Sequence, residues 1–99
     1  MPDETLNEAS TRYSFTNVVS ITGISRETLV EYCEVGLLPV SPAQIDQTQF
    51  DDRLINLICR VEALRKTHGV NLAGIQMILD LVDEVESLRR ELRFRVDGE

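Results

Sequence analysis

One histidine, His68, two cysteines, Cys33 and Cys59, and two adjacent carboxylate pairs, Asp51-Asp52 and Asp83-Glu84, are the side chains of this 99-residue chain that could carry acid–base, nucleophilic or metal chemistry. A Ser-His-Asp triad or a His-rich metal site would have to be assembled around His68, which stands beside an expected helix end, where a capping or solvent-exposed role suits it. The cysteines fall in separate segments that read as apolar-rich helices rather than in a CxxC clip. A small buried hydrophobe is the ordinary role there, and neither a disulfide framework nor a zinc site is expected. The carboxylate pairs have no Gly-rich phosphate cradle and no pocket-forming strands around them. These residues lead us to expect no enzyme, no cofactor and no bound metal.

Size and charge narrow the remaining classes. Ninety-nine residues and 11.2 kDa suit one domain, and 42% hydrophobic with 27% charged residues is ordinary globular composition. No uncharged apolar run approaches the roughly 20 residues that a membrane span needs, and the first residues carry neither a basic nor an apolar leader pattern. A cytoplasmic protein is expected. Ten Lys and Arg against 17 Asp and Glu leave a net charge of −7, so nucleic-acid binding would require the few cations to be concentrated on one face.

The punctuation of the chain predicts the elements that position these groups. Residues 1–12 are polar and acidic, with too little apolar surface to bury, and read as a frayed tail. Phe15, Val18, Val19 and Ile21 then follow helical spacing, with Thr16 where an N-cap would stand, predicting a short helix over 16–22. Gly23 supplies a turn, Ser25 with Thr28 and Glu27 can cap a second helix over 26–35, and Gly36 is placed for a left-handed C-cap. Two short helices joined by Thr22-Gly23-Ile24-Ser25 resemble a helix-turn-helix. Residues 37–50, with Pro39, Pro42 and alternating polar side chains, predict a small hairpin or loop. Asp51 or Asp52 can cap a connecting helix that lasts to about Thr67, and Asn71 can cap a final helix over 72–94. The expected organisation is a tail (1–12), a helix-turn-helix with a small wing (13–50), and a connecting helix with a long C-terminal helix (51–99), all in one mainly α domain.

The final helix carries more apolar surface than three short helices can cover. Ile78, Val85 and Leu92 repeat every seven residues, and Leu81 and Leu88 sit three after the first two, giving an a/d seam. A helix of about 23 residues is roughly 35 Å long, so its far end is expected to pair with a second copy through Ile78, Val85, Leu88 and Leu92. Its charges segregate: Asp80, Asp83, Glu84 and Glu86 occupy the middle and Arg89, Arg90, Arg93 and Arg95 the end. Asp80, Asp83 and Glu84, spaced three to four apart, form an acidic patch able to meet a basic partner, with Leu81 between them.

Tyr13-Ser14-Phe15, Thr22-Gly23-Ile24-Ser25, Thr28-Leu29, Tyr32 and Gly36-Leu37 together resemble the winged helix-turn-helix of the mercury-resistance (MerR) regulators over residues 13–79. In that family an arginine follows the threonine-leucine pair and further arginines lie in the wing, where they anchor phosphates. Here the first position is Val30, and residues 37–50 hold no Lys or Arg. Residues 13–52 contain one cation, Arg26, against Glu27, Glu31, Glu34, Asp46, Asp51 and Asp52. That balance repels a polyanion, and no DNA-binding residue is predicted.

A narrower resemblance runs through Asn71-Leu72-Ala73-Gly74-Ile75, Ile78-Leu79, Leu81, Asp83-Glu84-Val85 and Leu88, with Leu64-Arg65 and Phe15 upstream. Over about residues 13–92 the chain is similar to the chaperone-modulator CbpM family, small relatives of the MerR regulators. The resemblance implies an adaptor that binds the J-domain of a CbpA- or DnaJ-like co-chaperone and inhibits its stimulation of the DnaK ATPase. An acidic surface of Asp80, Leu81, Asp83 and Glu84 would suit the basic face of a J-domain. The competing expectation is a MerR-type transcriptional regulator that binds DNA as a dimer.

Overall fold

A computed structural model describes residues 11–98. It is mainly helical, with four α-helices and one 3-10 segment among the described residues: α1 Phe15–Thr22, α2 Arg26–Glu34, the 3-10 segment Pro42–Gln47, α3 Asp52–Lys66 and α4 Leu72–Gly98. The expected tail at residues 1–10 lies outside the described residues.

Side-chain caps set most of the boundaries. Ser14, in extended backbone, accepts a hydrogen bond from the Asn17 N–H at 3.2 Å, so α1 begins one residue before the helix anticipated behind Thr16. At its other end Gly23 takes φ 72° and donates to the Val19 carbonyl, while the Thr22 hydroxyl donates to the Val18 carbonyl at 2.8 Å and accepts from the Ile24 N–H. The turn between α1 and α2 is therefore fixed by bonds as well as by glycine. Ser25 accepts from the Thr28 N–H at 3.1 Å and opens α2. That helix closes with paired bonds, Gly36 N–H to the Cys33 carbonyl and Leu37 N–H to the Tyr32 carbonyl, around Gly36 at φ 84°. This is the Schellman arrangement, and the strain a side chain would suffer at that φ explains the glycine. Asp51 accepts from the Leu54 N–H at 2.9 Å and Asn71 from the Gly74 N–H at 2.7 Å, opening α3 and α4.

Of the expected hairpin or loop, residues 37–50 take the loop. Residues 42–47 turn as a 3-10 helix with Pro42 in the first turn, and the extended pairing is a single antiparallel bridge in which Tyr13 and Phe50 exchange N–H···O bonds of 2.8 Å. Pro39 and Pro42 cannot donate to a ladder, and Ile45 is drawn into the core, which curls the segment inward.

The core is built from Phe15, Val18, Ile24, Leu29, Tyr32, Leu37, Leu38, Ile45, Phe50, Ile58 and Val61, joined by the thiol-bearing Cys33. Tyr32 is completely buried as a ring, and its hydroxyl donates to Glu62 Oε1 at 2.5 Å and accepts from Arg65 at 3.1 Å. One tyrosine thus ties α2 to α3 with its polar tip satisfied. Burial, followed by the hydrogen bond to Glu62, raises the Tyr32 pKa, which keeps the donor protonated. From α4 the core takes Ile75 alone as a fully buried residue, with Leu72 and Leu79 packed alongside.

Gly74 lets the turn before α4 close tightly on the helix's first turn. A Cβ there would stand 2.8 Å from Val70 Cγ1 and 3.2 Å from the capping Asn71 Oδ1. Gly74→Ala should consequently lower stability by about 1–2 kcal/mol despite alanine's better helix propensity. Chemical denaturation checks this, and a raised midpoint would show that the cap tolerates a methyl group. The cysteines part company: Cys33 is buried, whereas Cys59, expected in the apolar interior, faces solvent on the outer side of α3. Alkylation of the native protein at neutral pH should modify Cys59 alone, with Cys33 reacting only after denaturant, as peptide mass mapping would reveal.

Candidate protein-interaction surface

Exposed Glu27, Glu31 and Glu34 recur at intervals of four and three along α2, so they form one stripe of the helix that a DNA reader would turn toward the groove. The single cation of the region is already paired within the chain. Arg26 bonds both carboxylate oxygens of Asp46, at 2.6 and 2.8 Å, and its guanidinium lies 4.9 Å from the centre of the Phe15 ring. An exposed pair of this kind adds little stability, yet it holds the guanidinium against the 3-10 segment. Val30, at the position where the regulators carry arginine, is half-buried against the core.

The long helix has three sides. At about 100° per residue, Ile75 and Leu79 form an inner stripe against the core, with the half-buried Val82 in line with them. Leu81, Val85, Leu88 and Leu92 form an outer stripe roughly 120° around the axis, and they are 63%, 46%, 54% and 64% exposed. Ile78 lies on the boundary and is half-buried. From Asp83 through Val96 every side chain is exposed, so the second half of α4 leaves the domain altogether. Near its end Leu88, Glu91, Leu92 and Arg95 line a shallow cavity of about 250 Å³, with Arg95 bonded to Glu91 at 3.1 Å.

Asp80 and Asp83 occupy the third side. They border a groove of about 370 Å³ whose other wall comes from Leu37 and Pro39 after α2 and from Leu57 and Arg60 of α3. Glu84 is exposed one residue beyond this groove, and Leu81 points to the outer stripe. Sequence reasoning grouped the acids but missed the opposite wall. Nothing in the spacing of Leu37, Pro39, Leu57 and Arg60 announces that they converge on residues some 20 to 45 positions away.

The groups that tempted a catalytic reading stay apart. His68 is exposed past the end of α3, Asp51 caps that helix, and burial raises the Cys33 thiol pKa, with Glu34 adding to the rise. Among the described residues no three His, Cys, Asp or Glu side chains gather in a way that could hold a metal ion, and no helix is long and apolar enough to cross a membrane.

Comparison with known proteins places this geometry. The model of the MerR HTH family regulatory proteins matches residues 13–94. The chain is 29% identical over 96 residues to a putative heat shock protein HspR of Streptomyces coelicolor, covering 94% of this chain but only 64% of that relative's length. It is 35% identical over 83 residues to the chaperone modulatory protein CbpM of Salmonella paratyphi A, covering 82% of this chain and 80% of the relative, and equally so to CbpM of Escherichia coli O1:K1. The chain belongs to the MerR helix-turn-helix family and, within it, to the chaperone-modulatory CbpM family.

Proposed function

We propose that this protein is a non-catalytic cytoplasmic modulator that binds the J-domain of a CbpA- or DnaJ-like co-chaperone and inhibits that domain's stimulation of DnaK. The observation that carries this reading is the likeness to CbpM over most of the chain, borne by a helix-turn-helix whose exposed face is anionic and whose one cation is tied to Asp46. A surface of that sign favours a basic protein over a phosphate backbone. Asp80, Asp83 and Glu84 supply the attraction on α4, with Leu81 at the margin toward the outer stripe.

The outer stripe of α4 serves self-association in this reading, through Leu88 and Leu92 with Val85 and the half-buried Ile78. Charge sets the orientation. A parallel pair would bring the four arginines of each end together, whereas an antiparallel pair sets the arginine-rich end of one copy beside the acidic middle of the other. The match to the model of the MerR HTH family regulatory proteins favours a second reading, a DNA-binding regulator, which would use the same dimer.

Titration with the isolated J-domain of the same organism's co-chaperone, at near-physiological salt, should give saturable binding at micromolar or tighter Kd and suppress J-domain-stimulated DnaK ATPase. Absence of both effects, together with DNA affinity that falls by orders of magnitude from dilute to physiological salt, would favour the regulator. In solution the chain should run as a dimer of about 22 kDa, twice 11.2 kDa. Leu88→Asp should halve that mass while leaving helicity intact, and a monomeric wild type would remove the seam from the proposal.

A further inference from the structure

The groove beside α4 has features that a flat acidic patch lacks. Leu57 and Val82 are part of its apolar lining, Asp80 and Asp83 line it from α4 and Arg60 from α3. None of these three charged side chains makes an ion pair or side-chain hydrogen bond among the described residues, so each has its full charge to offer an occupant. A second depression of about 310 Å³ shares Pro39 and Leu57 with it and continues toward Arg53. Together they make a trough longer than one side chain needs.

We infer that this trough is the seat of the partner, and that its occupant is one amphipathic helix of a basic protein. The occupant inserts an apolar side chain over Leu57 and Val82, sets a lysine or arginine against Asp80 and Asp83, and turns an acceptor, a carboxylate or its C-terminal carbonyls, toward Arg60. Walls of opposite sign admit that helix in one register, because reversing it would place cation against Arg60 and acceptor against the aspartates. Glu84, outside the groove, contributes to the long-range attraction only. The inference rests on the proposed J-domain partnership and deepens it by separating the seat from the rest of the acidic surface.

Two substitutions with the same charge change distinguish the groove from the patch. Asp83→Lys should weaken J-domain affinity about tenfold or more, whereas its exposed neighbour Glu84→Lys should weaken it less than about threefold, as expected when one charge is in contact and the other only steers. Circular dichroism should show both variants folded as the wild type. Equal losses in the two variants, or an unchanged Asp83→Lys, would overturn the groove while leaving the partnership standing. A wild-type protein that binds no J-domain would overturn both.

Discussion

Among the described residues, Ile75 is the one position of α4 that the rest of the chain buries completely, and the architecture follows from that shortage. Two short helices, a 3-10 turn and α3 can surround a core of about a dozen side chains, enough to seat the first turns of a helix that runs about 40 Å in all. Past Asp83 every described side chain of the helix is exposed, yet apolar residues continue at heptad spacing. The helix therefore spends its length outside the domain, with its apolar side and its charged sides equally open to solvent. The apolar stripe and the groove both lie on or beside that projecting rod.

The helix-turn-helix combines an intact geometry with an acidic exposed face. Its turn, caps and Schellman ending are intact, and Tyr32 with Glu62 and Arg65 locks the second helix onto the third. The surface so firmly held presents three glutamates, and Arg26 is folded back onto Asp46 and Phe15. On the proposed reading, a scaffold that is rigid and acidic would offer a protein partner a preformed site, with little ordering to be done on association.

Local chemistry explains how much of this was legible in the sequence. Ser25, Asp51, Asn71, Gly23 and Gly36 marked helix ends because a short polar side chain or a freely rotating backbone has few other uses at those positions. Ser14 and Thr16 both carry a hydroxyl, and choosing between them depends on which reaches an unpaired N–H, a matter of backbone path. The prolines of the wing announced a turn without deciding between a hairpin and a 3-10 curl, since that choice rests on where Ile45 finds cover. The sidedness of α4 followed from periodicity, but the wall opposite Asp80 and Asp83 did not, because it is assembled from two other elements distant in the chain.

The three-sidedness of α4 bears on valency. The outer apolar stripe and the groove lie on different sides of the same rod, so covering one leaves the other open. Two copies joined along the outer stripe would carry two grooves at a fixed separation. Against a partner that is itself two-chained, the second engagement would proceed at the high effective concentration of a tethered site, and two individually modest contacts would hold far longer than either alone.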